Sequence, residues 1–461
     1  MSGLLGVIQT IFWGVLVLSV LVFVHEGGHY LASRAFRVRA TEFFLGLPCR
    51  FRLSRKSRSV GTEFGVTPLL LGGYTRICGM EGASDDLLAP TLELVTSRGR
   101  ISAREVADEL GVDLDRAYEL LATLSDWAAI RPYYDPELGE DPSQGTYPAA
   151  FETVRRDADL LTEYDRGHDF SRPGTTEPGQ ARETGLSAEE FLQHERARTY
   201  LGVGFVKRCV ILAAGPLVNV LLAFLIVTAA LMVRGVDYVS NVNTLGSVEA
   251  GSPADEAGIQ AGDTLTVVDG HVVATWEDIV EALESPLEEG RDFDVTLLRD
   301  GQEQTVSVDL PDGVPSELVG VSATVETYHP TLPEVASATL GYVGQVASYV
   351  SQLIQPQHTM EVLDQSSSVV GIAVMTSQAA SSGAYDLAII VAAISMSLGF
   401  MNLLPIPPFD GGKILIELIQ LVIRRPLSPR VAAGLSYVGL AFMVFVFVVV
   451  LRNDVVRFVI G

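Results

Sequence analysis

Four long runs of apolar residues without a charged side chain divide the chain. They cover residues 1–24, 209–233, 387–409 and 431–451. Each run has roughly 20 residues, enough for one α-helix to cross the hydrocarbon core of a bilayer. The pattern therefore predicts a polytopic α-helical membrane protein with four transmembrane helices. The segments that hold them are 1–80, 200–237, 384–430 and 431–461.

The first run could also be a secretory signal peptide. Such peptides end at a small-residue cleavage site before the mature chain begins. No such site precedes the polar residues that follow Val24. We therefore expect a retained transmembrane helix.

Basic residues set the orientation expected for these helices, because loops rich in Arg and Lys stay on the cytoplasmic side. Eight follow the first run, namely Arg34, Arg37, Arg39, Arg50, Arg52, Arg55, Lys56 and Arg58, and four follow the third, namely Lys413, Arg424, Arg425 and Arg430. The sequence thus predicts a multi-pass protein of the cell membrane. Its N-terminus, the loop between runs two and three, and its C-terminus are expected to be extracytoplasmic.

Composition adds an unusual charge balance to this picture. The net charge is −24, and the chain has only three lysines, Lys56, Lys207 and Lys413, among 32 basic residues. A surface of this kind suits a salt-rich environment, but a GC-rich genome with an acidic bias would give a similar composition. Composition leaves these two explanations open.

The first chemical signal is a pentapeptide at the inner end of the first run, where His25 and Glu26 are followed by His29. Histidines four residues apart lie on one face of a helix, a spacing that suits a single zinc ion. A glutamate beside the first histidine is placed to take a proton from the attacking water. Within a membrane helix, the motif indicates hydrolysis inside or just under the bilayer.

A third zinc ligand is usual in catalytic sites, and the third run offers a candidate. Pro405, Pro407 and Pro408 interrupt the helix near its end, and Asp410 follows them. Irregular backbone is tolerated at membrane depth where it lines a cavity or packs on protein. Asp410 could therefore turn inward toward the histidines. The alternative is a helix that simply ends at the interface, with a solvated Asp410.

Taken together, three ordered motifs make the chain similar to the site-2 protease family of intramembrane zinc metalloproteases. The motifs are His25-Glu26-x-x-His29, Ala214-Gly215-Pro216-Leu217-Val218-Asn219 and Asn402-x-x-Pro405-x-Pro407-x-x-Asp410-Gly411. The resemblance covers residues 1–80 and 200–461. It implies a Zn²⁺ cofactor held by His25, His29 and Asp410, with Glu26 as the catalytic base.

The same resemblance implies further roles around the metal. Asn402 would help to hold the substrate or polarise its carbonyl group. Ser397 stands where bacterial relatives often have a second asparagine, so its part in substrate binding is an expectation only. Asn219 would lie near the substrate on the second span, although small and polar residues there also suit plain helix packing.

Residues 62–78 are apolar, too short to span, and contain Gly72 and Gly73. They resemble the family's membrane-associated β-hairpin, whose edge could hold an extended substrate by strand addition. A short interfacial loop is the alternative.

Residues 238–312 resemble a single β-rich PDZ domain of the protease-associated type. A Gly-Ser-Pro-Ala-Asp-Glu-Ala-Gly segment opens at Gly251, and Asp300-Gly301 suits a hairpin turn. Such a domain would bind a peptide or protein partner along a groove, or exclude bulky outer domains. Residues 332–356 repeat apolar positions at helical spacing. They predict an amphipathic helix that lies on the membrane or packs as an ordinary soluble helix.

An insertion at 82–199 has no counterpart in the shortest plan of the family. Residues 82–135 resemble a small α/β winged-helix domain, because a helix, the turn at Gly111 and a second helix follow one another. Residues 136–199, rich in Pro, Gly and acids, are predicted to form an acidic flexible linker. Residues 90–199 carry 12 basic and 23 acidic residues, a net charge of −11. This sign argues against nucleic acid and favours a regulatory protein partner.

The leading hypothesis is an endopeptidase that cuts a single-pass membrane protein at or within its transmembrane segment. A membrane scaffold that docks partners through its PDZ and winged-helix domains is the alternative, but docking needs no general base such as Glu26. A metal transporter would need acidic or imidazole residues along several spans, and the second and fourth runs have none.

Overall fold

The computed structural model describes residues 2–80, 85–142, 145–310, 319–353, 355, 357–425, 427 and 429–456. Several predicted segment ends, at 1, 82–84, 311–312, 354, 356 and 457–461, lie outside these residues. The helices are α1 Ser2–Ala35, α2 Leu88–Arg98, α3 Ala103–Leu110, α4 Leu114–Asp126, α5 Ala188–Arg196, α6 Phe205–Arg234, α7 Pro253–Glu256, α8 Trp276–Glu289, α9 Leu332–Gln352, α10 Thr359–Gln365, α11 Val369–Ser382, α12 Ala384–Leu403, α13 Asp410–Ile423 and α14 Pro429–Val455.

The strands are short and form several small sheets. They are β1 Ala40–Leu45, β2 Leu53–Lys56, β3 Glu63–Val66, β4 Gly73–Ile77, β5 Arg100–Ser102, β6 Ile130–Tyr133, β7 Ala150–Thr153, β8 Val236–Val239, β9 Leu245–Val248, β10 Thr264–Val268, β11 His271–Val272, β12 Phe293–Arg299, β13 Gln302–Val308, β14 Val321–Ala323 and β15 Val325–Tyr328.

Within the part of the chain that the structure describes, four helices are long and apolar enough to cross a membrane, which confirms the number predicted from the hydrophobic runs. These candidate spans are Leu4–Ala35, Phe205–Arg234, Ala384–Leu403 and Ala433–Val455. Their outer faces expose large apolar side chains, such as Leu5 at 65%, Val206 at 70% and Val438 at 72%. Such surfaces would be costly in water, and contact with lipid accounts for them.

α11 is a short apolar helix that the sequence analysis did not identify. It packs along α1, where Gly14 leaves room for Ala373. Ser368 caps its first turn by accepting a hydrogen bond from the Val370 amide. The buried carboxylate of Asp454, near the end of α14, accepts from the amides of Ser368 and Gly371. The end of the fourth span therefore fixes the start of α11.

The predicted amphipathic helix is present as α9. Val335 and Val350 are buried, whereas Leu340 is 62% exposed. Val346 and neighbouring apolar residues pack with side chains of α12, including Phe400. The apolar face of α9 is thus covered by other helices for part of its length, as in the second of the two arrangements considered for it.

Residues 62–78 do not form the predicted β-hairpin. Strands β3 and β4 are separated by β1, which runs parallel to β3 and antiparallel to β4. The sheet order is β2-β3-β1-β4, with β4 at one edge. Residues 67–72 form the connection across β1, two strand spacings of about 4.8 Å each, which a two-residue turn could not reach. The prediction was wrong because β1 lies before residues 62–78 in the sequence. Nothing within that segment indicates that an earlier strand inserts between β3 and β4.

A second compact unit comprises Thr228–Ala338 and is β-rich. Its main sheet has the order β11-β10-β12-β13, and the pairs β14-β9 and β15-β8 complete it. Asp300 and Gly301 form the two-residue turn between β12 and β13, with φ angles of 51° and 76°. Positive φ at both positions is what a type I′ hairpin requires. Helix α8 covers the core through Ile279 and Leu283.

The insertion contains the helix, turn and helix expected from its sequence. Ser102 and Glu105 form a capping box at the start of α3, and Gly111 ends it with φ of 66°. Asp113 then caps α4 by accepting from the Arg116 amide. α2 and β5 precede this pair, and β6 and β7 follow it. The three strands form a sheet of order β5-β7-β6, so the fold continues to β7 beyond the predicted boundary at 135.

Residues 136–142 and 145–199 belong to this folded module, which corrects the prediction of a flexible linker. Their apolar side chains Phe151, Leu160 and Phe191 belong to the core of the insertion. Two of their acidic residues are also buried: Asp165 accepts two hydrogen bonds from Arg39, and Glu195 accepts from Arg39 and Arg156. The composition was misleading because these charges pair with one another inside the protein instead of facing water.

Candidate active site

Three side chains that could bind a metal converge where α1 meets the start of α13. His25 and His29 lie one helical turn apart on α1, and Asp410 is the first residue of α13. Each is buried, with 6–7% of its surface exposed. The Nε2 atoms of the two histidines lie 3.2 Å apart, and each is 3.1 Å from Oδ2 of Asp410.

This triangle has the dimensions of a zinc site. Tetrahedral zinc binds nitrogen and oxygen at about 2.0–2.2 Å, so neighbouring ligand atoms lie roughly 3.3–3.5 Å apart. Two neutral imidazoles and one carboxylate also form a donor set that zinc accepts readily. The three residues therefore fit the metal in both size and chemistry.

Neighbouring groups orient two of the three ligands. Nδ1 of His29 lies 2.8 Å from the carbonyl oxygen of Ile211 on α6, which leaves Nε2 free to bind metal. Oδ1 of Asp410 lies 3.5 Å from Nζ of Lys413, so Oδ2 is the oxygen left for the metal. Nδ1 of His25 is buried without a hydrogen-bond partner among the described residues.

The second span contacts the site through its backbone. A Cβ at Gly215 would overlap Nε2 of His29 and lie 2.9 Å from Nε2 of His25. A Cβ at Gly28 would lie 2.9 Å from Cα of Gly215. The two glycines thus allow α1 and α6 to touch beside the ligand triangle, and they leave the space that a metal needs.

Glu26 lies beside this triangle and its carboxylate is not engaged elsewhere. The side chain is half-buried and makes no hydrogen bond or ion pair to any described residue. Its backbone carbonyl accepts a hydrogen bond of 3.0 Å from Oγ1 of Thr75 on β4. A carboxylate that is free and adjacent to a metal site can accept a proton from water.

Strand β4 follows α1 past this glutamate. Gly73 lies where a Cβ would be 3.5 Å from Cα of Phe23, and Gly72 precedes it with φ of 151°. The absence of side chains at both positions lets the strand approach the helix closely. The edge of the sheet thereby runs next to the His-Glu motif.

The comparison with known proteins agrees with this geometry. Residues 13–446 match the model of peptidase family M50. The chain belongs to peptidase family M50. The regulator of sigma-W protease RasP from Bacillus subtilis is 27% identical over 98% of this chain and 99% of its own length. The zinc metalloprotease RasP from Geobacillus kaustophilus is 26% identical with the same coverage. Family M50 comprises the site-2 proteases, so the chain is a zinc metalloprotease of the membrane.

Other residues predicted for this M50 protease occupy different positions. Asn402 is half-buried in the last turn of α12, and its Nδ2 donates to the carbonyl of Leu398 at 2.9 Å. Ser397 is exposed on α12, and its contact with substrate stays a prediction. Two residues earlier, Ser395 is buried and donates to the backbone carbonyl of Asn219 at 2.8 Å. The helix face that meets α6 therefore carries Ser395 in place of Ser397.

The amide group of Asn219 is fully buried on α6. Neither Nδ2 nor Oδ1 has a hydrogen-bond partner among the described residues. An unpaired buried amide costs free energy of about 1–3 kcal/mol.

Sequence reasoning missed a polar clamp that holds α13 in place. Glu417 lies two turns after Asp410, on the same face of α13, and is buried. Its carboxylate accepts hydrogen bonds of 3.0 Å from Nε of Arg208 on α6 and of 3.1 Å from the hydroxyl of Tyr200. The seven-residue spacing between the two acids is the signal that could have identified it.

Proposed function

We propose that this M50 zinc metalloprotease is an endopeptidase that cuts membrane-anchored proteins within or near their transmembrane segment. The convergence of His25, His29 and Asp410 beside the spanning helices carries the proposal. It brings together two sequence motifs that lie more than 380 residues apart. Such a buried site favours a substrate that is itself in the membrane.

In this proposal the chain's own side chains divide the work of hydrolysis. Bound zinc would polarise the scissile carbonyl group and acidify the attacking water. Glu26 accepts the proton of that water at its carboxylate and delivers it to the nitrogen of the leaving peptide. His29 keeps its orientation through the carbonyl of Ile211. Asn402 and Asn219 are proposed to contact the substrate backbone.

A transmembrane helix hides its peptide bonds, so the substrate has to be extended before it is cut. We propose that β4, from Gly73 onward, holds the extended segment by strand addition. The contact between Thr75 and the carbonyl of Glu26 keeps this strand next to the base. Positioning of the scissile bond would then depend on β4 as well as on the metal ligands.

The other modules receive proposed roles on the two sides of the membrane. From the distribution of basic residues, the N-terminus, the unit Thr228–Ala338 and the C-terminus are extracytoplasmic, and the insertion is cytoplasmic. The β-rich unit is proposed to act as a PDZ domain that binds a peptide or protein partner. The insertion is proposed to be a winged-helix module for a regulatory protein, since α4 exposes Asp115 and Glu119.

Glu26→Gln tests the mechanism. The purified full chain in proteoliposomes should lose cleavage of a reporter transmembrane peptide by about 1,000-fold or more, because the base is gone. Zinc content should stay near one ion per chain, since Glu26 is not a ligand in this proposal. Elemental analysis and gel-based cleavage assays measure the two quantities.

Exposed Glu137→Gln serves as the matched control and should leave both unchanged. Undiminished cleavage by Glu26→Gln would contradict the assigned role of the base. If a soluble peptide of the same sequence were cut as fast as the membrane-anchored one, the proposed substrate class would be wrong.

A further inference from the structure

The sheet β2-β3-β1-β4 is basic within a very acidic chain. Residues 40–80 carry six basic and two acidic side chains, a net charge of +4, whereas the whole chain carries −24. Most of the basic residues lie in the segment 50–58, around the outer strand β2. All four residues of β2 are exposed. We call residues 50–58 the β2 segment.

Some cations of the β2 segment are used within the sheet, and others are not. Arg52 lies 3.6–3.7 Å from the carboxylates of Glu42 and Glu63, and Lys56 pairs with Glu163 at 2.7 Å. By contrast, three exposed arginines form no ion pair or hydrogen bond with any described residue, and these are Arg50, Arg55 and Arg58. Three unpaired cations on one short segment are available to an external anion.

The same segment also exposes large apolar side chains. Phe51 is 75% exposed and Leu53 is 76% exposed. The neighbouring loop adds three exposed leucines, namely Leu69 at 48%, Leu70 at 37% and Leu71 at 62%. Apolar and cationic groups side by side are typical of surfaces that lie in the headgroup region of a bilayer.

Helix α1 shows how deep each part of the sheet lies. The hydroxyl of Ser19 bonds to the carbonyl of Leu70, and Gly73 lies against Phe23. Thr75 contacts Glu26, further along the helix. With a rise of 1.5 Å per residue, the sheet extends about 10 Å from the apolar middle of α1 toward its polar end.

The register of the paired strands shows which residues of β2 lie level with which part of α1. Leu53 pairs with Val66, which lies level with Leu45 and Gly73, at the apolar end. Lys56 pairs with Glu63, level with Glu42, at the polar end. From Leu53 to Lys56 the strand therefore changes from apolar to cationic residues in the direction in which a bilayer changes from acyl chains to headgroups. Arg50 precedes Leu53 at the apolar end, and its long side chain would have to extend its guanidinium group back toward the headgroups.

We propose that the β2 segment binds anionic phospholipids, with Phe51 and Leu53 among the acyl chains and Arg50, Arg55 and Arg58 on the phosphate groups. Arginine suits this role because its guanidinium group binds phosphate oxygens in a bidentate manner. The open edge of β2 could in principle pair with a substrate strand. Charged residues such as Arg55 and Lys56 on an edge strand oppose that pairing.

The test measures lipid binding by the full chain and needs no proteolytic activity. The detergent-solubilised protein is titrated with phosphatidylglycerol or phosphatidylcholine, and bound lipid is counted by native mass spectrometry. The unmodified protein should prefer phosphatidylglycerol. A triple variant, Arg50→Gln with Arg55→Gln and Arg58→Gln, should lose about tenfold or more of its affinity for that lipid.

Matched controls separate this surface from charge in general. Arg104→Gln with Arg166→Gln removes two exposed arginines of the insertion that form no ion pair with described residues, and it should change nothing. Replacing Arg50, Arg55 and Arg58 by lysine should weaken the preference less than glutamine does, because the positive charges remain although the bidentate contacts are lost. Millimolar inorganic phosphate should not displace the lipid, because it lacks the acyl chains that Phe51 and Leu53 contact.

Three results would overturn the proposal. They are equal affinity of the unmodified protein for the two lipids, an effect of the insertion variant as large as that of the triple variant, and displacement by free phosphate. A photo-crosslinking residue at Ser54 should label lipid. If it labelled the reporter substrate instead, β2 would be a substrate edge and the lipid assignment would be wrong.

Discussion

Two regions of this protein bury ionisable side chains, but the side chains are paired in one region and left open to a ligand in the other. Around Arg39, the buried cations and anions of the insertion satisfy one another with hydrogen bonds as short as 2.7 Å. Around His25, buried polar atoms remain unpaired, and three ligand atoms face one point. Saturated charges hold a structure together, whereas unsaturated ones are kept for a ligand. The predictions below test this contrast.

The largest effect is expected from Gly215→Ala. The new methyl group would overlap Nε2 of His29 and crowd Nε2 of His25. Zinc affinity should fall about 100-fold or more, at the upper end of what supporting residues of metal sites contribute. Zinc per chain and reporter cleavage should fall together.

Gly344→Ala on α9 is the matched control, because no atom lies within 4 Å of the added carbon. It should keep full zinc content. A Gly215→Ala protein with normal zinc and normal cleavage would show that the two spans do not need to touch at the site.

A large loss of stability is expected from Arg39→Met. Asp165 and Glu195 would lose their shared partner and stay buried as charges, which typically costs about 3–5 kcal/mol. The insertion should become sensitive to proteolysis at a lower temperature. Arg172→Met is the control, because Arg172 and its partner Asp159 are 50% and 60% exposed. It should cost about 1 kcal/mol or less.

A graded effect is expected from pH. Burial opposes ionisation of Glu195, but Arg156 and Arg39 outweigh it and hold its pKa well below the usual value of 4.5. Burial likewise opposes ionisation of Asp165, yet Arg39 lowers its pKa below 3.8. Both carboxylates therefore contribute stability above their unfolded pKa values, and this stability is lost as the pH falls through the lower folded values.

Unfolding of the insertion should thus become easier as the pH falls below about 4. The melting temperature of the insertion, monitored by limited proteolysis at a series of pH values between 7 and 3, measures this change. In the Arg39→Met protein the dependence on acid pH should be weaker, because each carboxylate loses one of the cations that lower its pKa and keeps only Arg156 or Arg198. An unchanged dependence would mean that other carboxylates control it.

The sequence was most informative where a motif is local or where hydrophobicity decides. Four apolar runs predicted four spanning helices, and His25, Glu26 and His29 needed only helical spacing to be recognised. Asp410 could be predicted as a ligand because the prolines before it mark the end of a helix. The contact of His29 with the carbonyl of Ile211 could not be predicted. Every residue has a carbonyl group, and only the tertiary structure shows which one lies next to the imidazole.

Other features depend on long-range pairing that composition hides. Strand β1 separates β3 from β4, so a segment that looked like a hairpin is part of a larger sheet. Residues 136–199 looked solvated because they are charged, although Glu195 is fully buried. The hydrogen bond from Ser395 to the Asn219 carbonyl was not predicted, because only the packing of α12 on α6 selects that position.

The contact between Gly28 and Gly215 also limits the routes by which a substrate can reach the site. An α-helix with its side chains is about 10–12 Å wide, and it cannot pass between α1 and α6 where their backbones touch. The helix contact that leaves room for one metal ion thus closes that side of α1 to a protein chain. A substrate has to arrive along another face of α1, and β4 lines one of those faces.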